Sequence, residues 1–280
     1  MGKFLKWMLV VISVLASGLF VASCSIADRA AFAPAPRAAI LPETVDAADL
    51  RIETEDGELL VAWQVTAAPG CPTVLGFHGN AQHLDGVAPR LQRMNGKGVG
   101  YLAVAYRGYS GSTGKPTEKG VRQDARAAYA HLRSQGIDPV NIVIEGFSLG
   151  SSVATGLAAE EEARALVLLA PFESGTRMAS QAIRFLPMGL IAGNAFRSDR
   201  LAADVTEPVL ILHGEDDGII PSDHSLQLQA KFTQTNVTRF LIANRKHNDL
   251  IDASLDTNHI FPFLADIFQD CSTLIVEPLE

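Results

Sequence analysis

The chain of 280 residues has no long run of Lys or Arg, and its formal net charge is −8. Phosphate binding needs a basic face, so a nucleic-acid partner is disfavoured. There is no internal repeat and no low-complexity tract. Cysteine is scarce: Cys24, Cys71 and Cys271 are the only three. No metal-ligand constellation and no phosphate-binding loop is visible, so no cofactor is implied. The one long apolar run, Met8 to Phe20, is short for a full span of roughly 20 residues. What remains is 48% hydrophobic and 19% charged, a globular composition. The length suits one large domain or two small ones.

The first residues, "MGKFLKWMLVVISVLASGLFVASCS", read as a secretory signal. They have a positive start (Lys3, Lys6), the apolar run, and small residues near Cys24. "VASC", Val21 to Cys24, resembles a bacterial lipobox, in which the cysteine is lipidated and becomes the mature N-terminus. A plain signal peptide or an uncleaved anchor helix are the alternatives. N-myristoylation is disfavoured, because Lys6 stands where Ser or Thr is expected. Ser25 after the cysteine implies, by the same resemblance, the outer membrane of a Gram-negative cell. The expected organisation is a lipoprotein signal peptide over 1–23, a flexible Ala/Pro-rich tether over 24–44 and one α/β domain over 45–280. Cys71 and Cys271 could pair in an exported protein, or stay as two free buried thiols.

Along the domain, "LRIETEDGELLVAWQV" reads as a hairpin turning at Asp56-Gly57. Strand-like runs follow at Thr73–His78, Gly98–Tyr106, Asn141–Phe147, Arg164–Ala170, Pro208–Gly214 and Thr238–Ala243. Their nearly continuous Val, Ile and Leu suit parallel strands buried on both faces. Between them lie helical segments: "EKGVRQDARAAYAHLRSQG", Leu149–Glu160, Ser222–Phe232 and His259–Phe268. The implied fold is α/β, a mostly parallel sheet with helices on both faces. Ligands bind such sheets at the carboxyl ends of the strands, which points to the six loops that follow them.

"GFSLG", Gly146 to Gly150, follows a strand and opens a helix. A serine at so sharp a turn projects its hydroxyl above the sheet, and the helix N-terminus favours developing negative charge. A serine needs an adjacent base. His247, in "LIANRKHNDL" after the last strand, is the candidate; His83, His131, His224 and His259 fit less well. The imidazole in turn needs a carboxylate, and "LILHGEDDGIIP" offers Glu215, Asp216 and Asp217. Acyl transfer also needs donors for an oxyanion. The backbone N–H groups of Leu149 and Asn80 are the candidates, with His78 and Gly79 shaping the turn.

Taken together, "FHGNA", "YRGYSGSTGKPTEKG", "GFSLGSS", "APFES", "PVLILHGEDDGIIP" and "KHND" resemble the α/β-hydrolase superfamily. Within it they are similar to the small serine hydrolases of the bud-emergence (Bem) type and the serine aminopeptidase-like group. The resemblance runs from about Leu50 to Phe268. It implies Ser148 as nucleophile, His247 as base and Asp217, three residues beyond the glycine of His-Gly, as acid. Asp216 is the fallback. Ser110 departs from the family, which often has Gly there. Arg107 and Tyr109 are expected to brace the loop beside the pocket. The lid position, Pro171 to Val205, carries the apolar stretch "RFLPMGLIAGNAF" and is expected to form one or two helices with no separate cap.

The expected activity is hydrolysis of carboxylic (acyl) esters or thioesters through a Ser-His-Asp triad and an acyl-enzyme. The alternatives are a peptidase or amidase on the same triad, and a non-catalytic envelope lipoprotein on a hydrolase scaffold. The expected partners are a small-molecule or lipid acyl ester, and a membrane reached through the lipid on Cys24.

Overall fold

The computed structural model describes residues 32–182 and 195–274. The signal segment 1–23, the lipidation candidate Cys24 and most of "RFLPMGLIAGNAF" lie outside the described residues. Eight strands form one sheet in the order β1-β2-β4-β3-β5-β6-β7-β8. β1 (Ala48–Glu53) and β2 (Leu59–Val65) make the expected antiparallel hairpin, and β2 pairs antiparallel with β4 (Gly100–Val104). From there the sheet is parallel through β3 (Thr73–Phe77), β5 (Ile142–Phe147), β6 (Ala165–Leu169), β7 (Val209–Gly214) and β8 (Val237–Ile242).

Every residue of β3, β4, β5, β6 and β7 is buried, as continuous apolar runs predict. β8 differs from that expectation. It pairs only with β7, alternates between half-buried and exposed residues, and leaves Phe240 and Leu241 exposed. An edge strand has a neighbour on one side only, so its outer row stays in contact with water.

Helix α1 (Ala88–Gly96) fills a connection where the sequence shows little periodicity; Leu91 and Met94, one turn apart, are its buried apolar anchors. α2 (Glu118–Ser134) is capped by Thr117, whose side chain accepts from the Gly120 N–H, and buries Val121, Ala125, Ala128 and Leu132 on one face. α3 (Leu149–Ala158) is buried along its whole length. α4 (Gly175–Ala182) lies in the lid position. α5 (Asp223–Gln229) and α6 (Phe261–Ile267) complete the described set used below. Among the described residues no helix is long and apolar enough to cross a membrane.

Two connections bear on the N-terminal and redox expectations. Residues 32–44, the described part of the stretch expected as a flexible tether, run along the domain, with Phe32 buried and several of their backbone groups hydrogen-bonded to domain residues. Alternating Ala and Pro give this stretch little conformational freedom to lose on docking. Cys71 and Cys271 form a disulfide across 200 residues of sequence. It ties the loop before β3 to the segment after α6, at the end of the sheet opposite the "GFSLG" turn.

Candidate active site

The turn between β5 and α3 places Ser148 at φ 54°, ψ −116°, in the left-handed half of backbone space where a side chain is strained. The surrounding fold holds it there. The Ser148 N–H donates to the Leu169 carbonyl at 2.9 Å, so the turn is tied to β6. Two glycines let the chain close in. A Cβ at Gly146 would collide with the Gly150 carbonyl, and a Cβ at Gly150 would collide with the Phe77 carbonyl. α3 therefore sits directly on β5 and the end of β3, and the Ser148 hydroxyl stands half-buried above the sheet.

Three groups from three loops meet there. His247 Nε2 lies 3.0 Å from Ser148 Oγ, and His247 Nδ1 lies 2.7 Å from Asp217 Oδ2. Both His247 and Asp217 are buried. With a carboxylate at Nδ1, that nitrogen carries the proton and Nε2 is left as acceptor for the serine hydroxyl. The Phe147 ring packs 4.9 Å from the imidazole and limits its rotation. Of the neighbouring acids, Asp216 and Glu215 are exposed, and only Asp217 points inward.

The surroundings of Asp217 explain why it stays charged. Burial alone would raise its pKa, but hydrogen bonds from His213, His247 and the Ile220 N–H hold it well below the usual carboxylate range. Its Oδ1 accepts the N–H groups of Ile219 and Ile220 at 2.9 and 2.8 Å. His213, fully buried on β7, comes within 3.3 Å of Asp217 Oδ2 and donates through Nε2 to the Ile220 carbonyl at 2.8 Å. Sequence reasoning assigned His213 no role. The available signal was its place four residues before Asp217 and one before the strand-ending glycine.

On the other side of Ser148 lies the loop after β3. An added Cβ at Gly79 would stand 3.3 Å from Ser148 Cβ, so this loop passes directly over Ser148. The His78 ring donates through Nδ1 to the Gly79 carbonyl at 2.7 Å. Burial lowers its pKa to about 4, so it is neutral near pH 7. Leu149 opens α3, and its N–H is one of the donors that a helix start does not consume. Tyr109 donates to Asn80 Oδ1 at 2.8 Å, while Arg107 is held by Asp124 and Asp56. Both residues brace loops, as expected. Ser110, at φ 51°, occupies a conformation that suits glycine, the residue the resemblance leads one to expect there.

In and beside the lid position, the rings of Phe172 and Phe196 stand 6.3 Å apart, with Phe32 5.8 Å from Phe196. Behind Phe147, a cavity of about 410 Å³ lies between α1 and the sheet, bordered by His78, Phe147 and Asn248. Its floor holds a second buried polar cluster, in which Glu145 takes two hydrogen bonds from Arg90 and one from Tyr101. No group of His, Cys, Asp and Glu side chains among the described residues is arranged to hold a metal ion.

A strained serine at a strand–helix turn, in line with a buried histidine and carboxylate, on a sheet of this topology defines an α/β hydrolase. The sequence pattern of the family described as "Serine aminopeptidase, S33" matches residues 69–197, which include Ser148. The chain is 34% identical over 224 residues to an uncharacterized protein of Mycobacterium tuberculosis, spanning 78% of this chain and 79% of that one. It is 32% identical over 200 residues to α/β hydrolase domain-containing protein 17B of Homo sapiens, spanning 70% of this chain and 68% of the human protein. Among solved structures, an esterase of Pyrococcus furiosus superposes with a TM-score of 0.63 at 19% identity, covering 85% of this chain and 98% of that one, and so shares the fold. The chain belongs to the α/β-hydrolase family.

Proposed function

We propose that the protein is a serine hydrolase of acyl esters or thioesters. The observation that carries this reading is the line Ser148 Oγ–His247 Nε2, His247 Nδ1–Asp217 Oδ2. Ser148 Oγ attacks the acyl carbon, and His247 Nε2 takes the hydroxyl proton. Asp217, kept ionised, stabilises the imidazolium. The N–H groups of Leu149 and Asn80 receive the oxyanion. Collapse of the tetrahedral intermediate expels the alcohol or thiol, which takes the proton from His247. Water then attacks the acyl-Ser148 ester with His247 as base, releasing the carboxylic acid and restoring the serine.

An acyl substrate is supported by the aromatic groups Phe32, Phe172 and Phe196 gathered at the lid side. The resemblance of "VASC" to a lipobox supports a location. We read Cys24 as lipidated and the protein as held at the cell envelope, in the outer membrane. The stretch from Cys24 to Phe32 can reach at most about 28 Å when fully extended. A lipid on Cys24 would therefore hold the Phe32 side of the domain close to the membrane surface, where acyl esters are found. Replacing Cys24 by Ala should release the protein from membranes and abolish incorporation of labelled palmitate. Retention of both would overturn the anchor.

The matched family's description favours one other reading, an aminopeptidase or amidase on the same three residues. A panel of nitrophenyl esters of increasing acyl length, run beside aminoacyl anilides, separates the two. Ester turnover that vanishes in Ser148→Ala supports the proposal. Preferential turnover of the anilides would replace it with the peptidase reading.

A further inference from the structure

We propose that residues 32–40 act as a strap that positions Asn80, so that the N-terminal segment is a working part of the oxyanion loop. This inference rests on the serine-hydrolase reading of the site.

Asn80 Oδ1 accepts three hydrogen bonds, from the Ala33 N–H at 2.8 Å, the Tyr109 hydroxyl at 2.8 Å and the Ala81 N–H at 3.0 Å. These donors come from three separate pieces of chain: the strap, the loop after β4, and the oxyanion loop itself. The bond to Ala81 closes the loop on itself at a residue with φ 58°, a conformation that an alanine leaves readily when unsupported. The other two bonds supply external support. Fixing the side chain of Asn80 fixes the peptide that carries its N–H, beside the Gly79 backbone that passes over Ser148.

The strap is in turn fastened along its length. The Ser110 N–H donates to the Ala35 carbonyl at 2.7 Å, and the Ala39 N–H donates to the Ser110 carbonyl at 3.0 Å. Ser110 Oγ accepts the Leu84 N–H at 2.9 Å, so the same residue joins strap, β4 loop and β3 loop. Arg37 pairs with Asp85 at 2.6 Å, and the Ile40 N–H reaches the other oxygen of Asp85 at 3.0 Å. His83 donates through Nε2 to the Arg37 carbonyl at 2.7 Å. Phe32 is buried against Phe196. Every one of these partners lies on a loop at the carboxyl end of the sheet or in the lid position.

None of the described contacts of the strap is to Ser148, His247 or Asp217. It braces the loop from behind and does not plug the site. Removing that brace lets the Asn80 N–H sample orientations away from the oxyanion. Such a loss weakens the transition state while leaving substrate binding alone, because the donor is fully used only once charge develops on the acyl oxygen.

The test uses the full chain with Ala33→Pro, which deletes one N–H in a segment already rich in proline, and with Arg37→Ala, which frees the strap at Asp85. A fluorophosphonate reaction at Ser148 and steady-state ester turnover are followed for each. The strap role predicts that kcat and the phosphonylation rate fall together by about tenfold, below the 10²–10³-fold cost of losing an oxyanion donor outright. KM and the pH profile stay unchanged. Arg37→Lys, which keeps the pair with Asp85, should recover most of the rate. If wild type reacts with the probe but both variants react at the wild-type rate, or faster, the strap role is overturned while the hydrolase reading stands. If wild type itself does not react, the hydrolase reading fails and the strap role fails with it. A drop in KM-controlled binding with unchanged kcat would also overturn it.

Discussion

Asp217 and Glu145 are both buried carboxylates on strands or strand ends of the same sheet, and their surroundings push them in opposite directions. Asp217 is desolvated, yet two imidazoles and two backbone N–H groups hold it charged well below the usual range. Glu145 is desolvated too, and burial wins: its pKa is raised in spite of the opposing pull of Arg90 and Tyr101. The Glu145 cluster runs on from Arg90 to Asp256 at 3.0 Å and from Asp256 to the half-buried Arg93 at 2.8 Å. The Asp217 cluster ends in a half-buried hydroxyl at 3.0 Å from His247. A perturbed carboxylate is therefore no sufficient mark of chemistry here. The mark is that one chain of hydrogen bonds ends on a strained, half-buried serine hydroxyl and the other ends on an arginine.

The largest expected effect breaks this comparison at its catalytic side. Asp217→Asn should lower kcat by about 10⁴-fold, by analogy with other serine triads whose acid is amidated. Glu145→Gln should leave turnover per folded molecule unchanged, as read by ester hydrolysis normalised to folded protein. Next comes stability. Glu145→Ala takes from the buried Arg90 its two-bond partner, leaves it only the contact with Asp256, and should cost about 3 kcal/mol in denaturant unfolding. Replacing Glu145 and Arg90 together by apolar residues of similar volume should cost much less, because no charge is left unpaired. Reducing the Cys71–Cys271 disulfide, far from both clusters, should cost about 2–4 kcal/mol with no change in kcat at 25 °C.

The smallest effect is on pH. Asp217 has a folded-state pKa below its unfolded value of about 3.9, so its contribution to stability is in full above that value and is lost as pH falls through the folded pKa. The stability difference between wild type and Asp217→Asn should therefore be constant near neutrality and narrow below about pH 4, as measured by unfolding across pH.

Much of this was legible in the chain because it depends on local chemistry. The "GFSLG" turn needs glycine two residues before and two residues after Ser148, and a Cβ at either Gly146 or Gly150 would collide with backbone. The strand runs of β3 to β7 announce burial by composition. The choice of Asp217 over Asp216 needed the resemblance, since three acids in one turn look alike in sequence; the geometry separates them by direction. What could not be read depends on contacts between distant segments. The burial of β8 depends on its place at the sheet edge. The pairing of Cys71 with Cys271 depends on distance across 200 residues. His213 and Glu145 look like ordinary strand residues until their partners converge on them. The strap looks like a linker because Ala and Pro carry no side-chain signal; apart from the Arg37 side chain, which pairs with Asp85, its hydrogen bonds are made by backbone groups.

The most direct test of the central claim is to react the protein with a fluorophosphonate, digest it and map the adduct by mass spectrometry. The account predicts one adduct, localised by fragmentation to the Ser148 side chain itself, that disappears in His247→Ala as well as in Ser148→Ala. An adduct on Ser151 or Ser152, or none on a folded protein, would contradict it.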